Sequence, residues 1–207
     1  MRAFSEEQYN ETKQRILHTA LEICATEGFE GLTVEKLARR LGLTKPALYH
    51  YFKNKDDILI HLTLQYLEQA NKEIQNILIN TTDNHWIRLQ KLLEYYVIQG
   101  RVEPGYFYLE HHINNLLELL PGSAEKDQIR QKSAAIPKTI MQFIQEGISA
   151  GVFINMDPMT MGTLILSMLS GVLLHSNMPG IKNMPPAELS RMVSHIILKS
   201  VRMENLP

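Results

Sequence analysis

Two short helices joined by a tight turn are predicted by residues 28–55, which read GFEGLTVEKLARRLGLTKPALYHYFKNK. Ala38 is small enough to let a second helix approach the first, Gly42 suits the turn, and Leu48 supplies an apolar side chain that packs back. The remaining apolar side chains of this small core are Leu37, Leu41, Leu43, Tyr51 and Phe52. This spacing predicts a helix-turn-helix over about residues 33–52.

Both predicted helices begin after a threonine, a residue that caps helix N-termini well. Thr33 precedes a helix over residues 34–41, and Thr44 precedes a helix that carries Pro46 in its first turn, where the missing N–H costs little. Hydroxyl and N–H groups at such helix starts can hold phosphate oxygens. In the second helix Tyr49 and His50 can reach a nucleic-acid backbone. The side chains placed to reach base edges are Lys45, Pro46 and Ala47.

Positive charge is concentrated in this same segment. The chain has 21 Lys and Arg residues against 22 Asp and Glu, but residues 31–55 hold six basic side chains and one acidic one. Binding to nucleic acid needs a local positive patch rather than a basic whole protein. A solvated basic helix face is the alternative interpretation.

The whole chain is predicted to be all-α, because apolar residues recur three and four positions apart and no stretch shows the alternation of a strand. Gly, Pro and Asn clusters divide it into nine predicted helices. These lie near residues 5–27, 34–41, 44–51, 55–79, 84–99, 105–120, 124–150, 158–176 and 186–203. Pro137 falls inside the seventh and is expected to kink it.

Several short motifs in residues 12–59 point together to one family. They are Ile16-Leu17 with Ala20-Leu21, GFEGLT from Gly28, LARRLGL from Leu37, LYHYF from Leu48, and KNKDDIL from Lys53. In this order they resemble the N-terminal domain of TetR-family transcriptional regulators. The resemblance implies a DNA-binding domain over residues 10–70 and an effector-binding and dimerisation domain over residues 71–207.

The resemblance also implies roles for single residues. The family's phosphate contacts fall here on Thr33, Thr44, Tyr49, His50 and Lys55, and its base-reading positions on Lys45, Pro46 and Ala47. Pro46 departs from the family, which often has glycine or another small residue there. A proline ring offers apolar contact to a base but no hydrogen bond.

The last two predicted helices are apolar on more than one side, which is typical of a helix that also faces a partner. We expect them to form half of a four-helix bundle between two subunits of a homodimer. An entirely intramolecular core is the alternative. The expected interface residues are Met161, Ile165, Met168, Val172, Met192 and Ile196.

A small-molecule effector site is expected in the C-terminal region, since aromatic and apolar side chains with a few polar groups are typical of such sites. Its candidate residues are Trp86, Tyr95, Tyr106, Tyr108, His111, Phe143 and Met168. Aromatic residues of an ordinary core are the alternative. We expect no metal and no cofactor, because adjacent histidines such as His111 and His112 point about 100° apart on a helix.

The sequence therefore predicts a cytoplasmic, homodimeric repressor that binds a palindromic DNA operator and is released by a small, largely apolar or aromatic effector. No motif of a phosphate loop, dinucleotide fold or serine hydrolase is present, so we do not expect an enzyme. Cys24 is the only cysteine, and no segment has the length of a membrane span. Two alternatives remain: a DNA-binding protein that docks to other proteins without an effector, and an enzyme in the C-terminal helical domain.

Overall fold

The structure is a computed structural model that describes residues 6–202, and its regular secondary structure in that range is entirely helical, as predicted. Phe153 and Arg202 form an isolated antiparallel bridge. The predicted start of the first helix at Ser5 lies outside the described residues. The helices are α1 (Glu6–Gly31), α2 (Val34–Leu41), α3 (Lys45–Tyr49), α4 (Lys55–Leu78), α5 (His85–Val102), α6 (Pro104–His111), α7 (Ile113–Leu119), α8 (Ala124–Ser149), α9 (Pro158–Leu174) and α10 (Pro186–Ser200).

The helical backbone of α1 is interrupted at Gly28, as the sequence predicts. Gly28 has φ 74° and ψ 176°, so the chain changes direction there and α1 resumes for only one further turn. A left-handed φ is cheap only for glycine. An added Cβ would also lie 3.2 Å from the hydroxyl of Tyr108.

The prediction of one helix over residues 105–120 is wrong, because the chain breaks it at His112 into α6 and α7. His112 has φ −115° and ψ 12°, outside the helical range. Its N–H is shared between the carbonyls of Tyr108 and Leu109, each at 3.2 Å. Both flanking helices bury their own apolar side chains, Leu109 in α6 and Ile113 in α7. Each helix thus satisfies a separate packing requirement that helical periodicity alone does not reveal.

The chain divides into two compact units, and the first comprises residues 1–68 and 105–132. Its core is built on the inner face of α1, with α2, α3, α6 and α7 adding side chains. Gly105 brings α6 close to α1, since a Cβ there would lie 2.5 Å from Cγ of Leu21. The buried members include Ile16, Leu17, Ala20, Leu21, Ile23, Cys24, Leu37, Leu48, Phe52, Leu109 and Leu116.

The second unit comprises residues 69–104 and 133–207. In it α5 packs against α10 and α9. Gly100 permits one of these contacts, because a Cβ there would overlap the side chain of Leu173. The buried members of this core include Leu78, Leu89, Leu93, Val97, Phe143, Ile144, Phe153, Leu169, Leu189 and Ile197.

The boundary between the units by packing differs from the functional boundary predicted at residue 70, since residues 105–132 pack with the N-terminal helices. Packing does not assign function, so the functional division at residue 70 stays a prediction. Within residues 6–202 no helix is both long and apolar enough to cross a lipid bilayer.

Candidate nucleic-acid interface

The first helix of the predicted pair, α2, begins with the expected threonine cap. The Thr33 hydroxyl accepts a hydrogen bond from the backbone N–H of Lys36 at 3.2 Å. Glu35 lies in the first turn, and Arg39 and Arg40 in the last turn, which suits the helix dipole at both ends. Leu37 and Ala38 are buried and fix α2 against the core. The other face of α2 is exposed to solvent.

The turn after α2 is set by Gly42, which is left-handed at φ 67° and ψ 26°. The N–H of Leu43 then bonds back to the carbonyl of Ala38 at 2.9 Å, closing the helix end. The chain therefore reverses over Gly42 and Leu43, and α3 begins directly after Thr44. The tight turn that the sequence predicts is present.

The second helix, α3, is short and presents its predicted contact residues outward. The Thr44 hydroxyl accepts a hydrogen bond from the N–H of Ala47 at 3.3 Å. Leu48 is fully buried and anchors α3 on α2. Lys45, Pro46, Tyr49 and His50 are exposed, and Ala47 is partly exposed. One short helix thus offers a base-reading set at its start and two backbone-reaching side chains at its end.

Lys45 forms an ion pair with Glu35, a partner that sequence reasoning missed. Their hydrogen bond lowers the pKa of the Glu35 carboxyl below its ordinary value. The two residues are ten positions apart on different helices, so no helical spacing links them. Because both side chains are well exposed, the pair is weak and easily exchanged for another anion.

A second acidic residue, Glu27 at the end of α1, pairs with Lys36 and Arg40 of α2. The hydrogen bond from Lys36 lowers the pKa of the Glu27 carboxyl. Sequence reasoning missed this contact as well, since it joins residues nine and thirteen positions apart around a bend. These two pairs hold three of the six basic side chains of residues 31–55.

The start of α4 places Lys55 beside the same helices. The Asn54 side chain accepts a hydrogen bond from the N–H of Asp57 at 2.8 Å, and the Asp57 carboxylate accepts one from the N–H of Lys53 at 2.8 Å. Lys55 is partly buried, and its charge acts on buried Cys24 of α1. Burial raises the pKa of the Cys24 thiol to about 12, while Lys55 opposes that rise. The thiol is therefore a packing group rather than a reactive one.

Tyr9 of α1 supports the end of α3, a role that the sequence pattern did not indicate. Its ring stacks on Tyr51 with centroids 4.8 Å apart, and its hydroxyl donates to the backbone carbonyl of His50 at 3.5 Å. Aromatic residues outside the helix-turn-helix motif carry no positional signal that would have identified it. Tyr9 positions the backbone beside Tyr49 and His50.

The seven candidate effector residues fall into both units. In the second unit, Trp86 and Phe143 meet at Phe153, with ring centroids 5.5 and 5.7 Å from it. Tyr95 packs against the same core. Met168 does not join them in the core, since it is 39% exposed.

The remaining three candidates lie on α6 in the first unit. Tyr106 stacks on Tyr66, and Tyr108 stacks on His112 and meets Phe29 edge to face. His111 is exposed and its Nδ1 lies 2.9 Å from the carbonyl of Phe107. Within residues 6–202 no three His, Cys, Asp or Glu side chains come together in a way that could hold a metal ion.

The six predicted interface residues are divided between core and surface. Met161 and Ile165 are 2% and 6% exposed and pack into the core of their own chain, so little of either is left for a partner. Val172 is partly buried. Met168, Met192 and Ile196 are exposed, and Leu164, which sequence reasoning did not select, is exposed with them.

Comparison with known proteins finds similarity concentrated in the first helices. Residues 16–62 match the family model described as bacterial regulatory proteins, tetR family. The chain is 49% identical over 47 residues to tetracycline repressor protein class C of Escherichia coli, a match that spans 23% of this chain and 22% of that repressor. In three curated relatives, that repressor among them, the match spans between 22% and 34% of their own length.

Solved structures extend the similarity of fold to nearly the whole chain. A ketosteroid transcriptional regulator of Mycobacterium tuberculosis aligns with a TM-score of 0.74 at 18% identity, covering 93% of this chain and 96% of that one. A transcriptional regulator from Saccharomonospora viridis, solved in complex with choline, aligns with a TM-score of 0.70 at 19% identity, covering 93% and 98%. At this identity the similarity concerns the fold.

Proposed function

This chain belongs to the tetR family of bacterial transcriptional regulators, and from that premise we propose that it is a repressor that binds a palindromic DNA operator as a homodimer and is released by a small effector. The observation that carries the proposal is the geometry of α3. Its capped start and its exposed Lys45, Tyr49 and His50 match what a recognition helix in a major groove needs. The proposal places the protein in the cytoplasm, where the DNA is.

The proposed DNA contacts divide by chemistry. Lys45, Pro46 and Ala47 read base edges, while Thr33, Thr44, Tyr49, His50 and Lys55 hold phosphates. For Lys45 to reach a base, its ion pair with Glu35 must open. The exposure of both side chains makes that exchange cheap, because a solvated pair contributes little.

A dimer is supported by the apolar surface of α9 and α10. Exposed, uncharged side chains at helical spacing on both helices leave a face that water covers poorly in a monomer. Its members are Leu164, Met168, Met192 and Ile196. Pairing this face with its copy about a two-fold axis would set the spacing of two recognition helices on two operator half-sites.

Release by an effector is proposed to act through α4. This helix has 24 residues, about 36 Å at 1.5 Å per residue, and its residues belong to both units. It begins at Lys55, one of the proposed phosphate contacts. A ligand that tilts α4 would therefore displace the DNA contacts by several ångströms. By linkage, operator-bound protein must bind that ligand less tightly by the same factor.

The experiment that tests this function is selection of binding sites from random double-stranded DNA by purified full-length protein. The expected result is enrichment of one sequence with two-fold symmetry and half-sites about one helical turn or a near-multiple apart. Recovery of no enriched sequence would contradict the proposal. A recovered sequence without symmetry would remove its dimeric part.

Two other functions are less well supported. A DNA-binding protein that docks partners without an effector would bind the operator with an affinity that no small molecule changes. An enzyme in the C-terminal helices would need convergent catalytic groups, and the relatives matched here are named as regulators and repressors.

A further inference from the structure

Glu110 of α6 is a carboxylic acid placed where water reaches it poorly. The hydroxyl of Tyr66 on α4 donates a hydrogen bond to its Oε2 at 3.0 Å. Burial raises the pKa of the Glu110 carboxyl to about 7, and the Tyr66 hydrogen bond opposes that rise. Among the described residues no lysine, arginine or histidine forms an ion pair with it.

Two tyrosine rings lie at the same place. Tyr66 stacks on Tyr106 with ring centroids 5.2 Å apart and planes at 21°. Tyr106 precedes Glu110 by four residues on α6, so both lie on one helix face. All three side chains are partly buried, and each keeps some exposed surface. A carboxyl group and two electron-rich rings therefore converge in the first unit.

This combination is costly unless something compensates the charge. A carboxylate removed from water without a cation is destabilising, and such groups cluster at functional sites. A proton can neutralise it, as the raised pKa indicates. A positively charged ligand can neutralise it too, and aromatic faces attract the same charge. A neutral or anionic ligand would gain nothing from the carboxylate.

We propose that Tyr66, Tyr106 and Glu110 form the recognition site for a cationic group, a quaternary or protonated amine carried on an apolar body, and that this is the charge class of the effector. The inference rests on the proposed function for its regulatory meaning, although the binding itself does not need DNA. The Glu110 carboxylate supplies the counter-charge. The tyrosine rings supply cation–π contact, and the apolar body packs on the surrounding aromatic surface.

The test uses a matched pair of probes on purified full-length protein. One is benzyltrimethylammonium, and the other is 2,2-dimethyl-3-phenylpropan-1-ol, an uncharged molecule in which a quaternary carbon replaces the nitrogen. Calorimetry at pH 7.5 measures both affinities. We expect the cation to bind about tenfold more tightly or better, because only it gains from the carboxylate and the rings.

Two variants assign that preference to Glu110. Glu110→Gln keeps the size and removes the charge, and should weaken binding of the cation about tenfold while changing that of the alcohol little. Glu118→Gln removes an exposed carboxylate from α7 of the same unit, and should change neither affinity. Thermal unfolding of each variant checks that it is folded.

The pH dependence supplies a second readout that a structural role would not give. Cation binding displaces the Glu110 proton, so affinity should rise as the pH increases from 6 to 8, by at most about tenfold per pH unit. Tyr66 on α4 and Tyr106 and His111 on α6 are the other titratable groups near it. Tyr66→Phe keeps the ring but removes the hydrogen bond that lowers the pKa, so its affinity should drop at pH 7 and recover at pH 8.5.

Three results would overturn the inference: equal affinity for the two probes, unchanged cation binding by Glu110→Gln, or no binding of the cation to the wild-type protein up to about 10 mM. Operator binding by the same preparations separates this inference from the proposed function. Loss of the cation site with intact operator binding contradicts only the inference. Cation binding by a protein that binds no DNA contradicts only the proposed function.

Discussion

At the scale of single residues, the charged side chains of the candidate DNA interface differ in what they can contribute. Lys45 stands at the exposed start of α3, paired with Glu35, whereas Lys55 is partly buried at the start of α4. A side chain aimed at base edges affects which sequence is bound. One that contacts phosphate affects all sequences alike.

Two substitutions therefore separate base reading from phosphate binding. Lys45→Ala should relax base preference at one position of each half-site, with a loss of about 1–3 kcal/mol on the best sequence. Lys55→Ala should weaken binding to every sequence and lower the salt-dependence slope by about one per site. Titrations at several salt concentrations measure both effects, with Lys138→Ala on the exposed surface of α8 as the control. An unchanged slope for Lys55→Ala would remove its phosphate role.

Glu110 gives a prediction about stability. Its pKa of about 7 in the folded chain lies above the ordinary 4.5, so the folded state keeps this proton while the unfolded chain releases it. Stability contributed by this group must therefore fall as the pH rises from about 4.5 to 7 and stay level above 7. Glu110→Gln lacks this dependence. Its stability relative to wild type should rise by about 2 kcal/mol between pH 5 and 8 in denaturant unfolding, whereas Glu118→Gln should show no such trend.

At the scale of elements, the helix-turn-helix is held by caps and one glycine rather than by size. The eight-residue α2 and the five-residue α3 are too short to be stable alone. Thr33 and Thr44 satisfy N–H groups at their starts, and Leu48 buries one side of α3. Gly42 between them sets the angle at which α3 leaves α2.

Gly42→Ala tests the turn without a steric complication. Nothing lies within 4 Å of an added Cβ, so its cost is that of a left-handed backbone alone, roughly 1 kcal/mol. We expect that loss in urea unfolding, with weaker operator binding because α3 is less firmly placed. Gly122→Ala is the matched control, since its Cβ also meets nothing and its φ is not left-handed. Equal stability of the two variants would mean that Gly42 is not needed for its conformation.

At the scale of the whole molecule, assembly depends on which apolar side chains the chain leaves uncovered. The face formed by Leu164, Met168, Met192 and Ile196 belongs to the second unit, while Met161 and Ile165 are used by its own core. Stable homodimer interfaces of the obligate kind bury upwards of roughly 2,000 Å². A face of two helices with exposed methionine, leucine and isoleucine can supply the apolar centre of such an interface.

A charge placed in this face should prevent assembly. Met168→Glu and Ile196→Glu should each give a monomer or an aggregate, because an unpaired carboxylate cannot be buried between two copies of the same surface. Leu119→Glu changes an equally exposed leucine on α7 and should stay dimeric. Sedimentation velocity at micromolar concentration measures the outcome. A monomeric wild-type protein would contradict the dimer.

The sequence by itself determined the all-α class, the helix-turn-helix and the exposed start of α3. These depend on local chemistry: threonine caps, a left-handed glycine and apolar spacing act within a few residues, so they can be read in order along the chain. The same information predicted the bend at Gly28. It also predicted α2 with its bounds, because both ends of that helix carry their own signals.

Only the tertiary structure decided which partners these residues find. Helical periodicity indicates an apolar face but not what covers it, so Met161 could not be told from Met168, nor the break at His112 foreseen. The ion pair of Lys45 with Glu35 and the hydrogen bond of Tyr66 with Glu110 join residues 10 and 44 positions apart. Contacts between helices depend on how the chain folds back, and a carboxyl group acquires its unusual pKa only when that packing removes it from water.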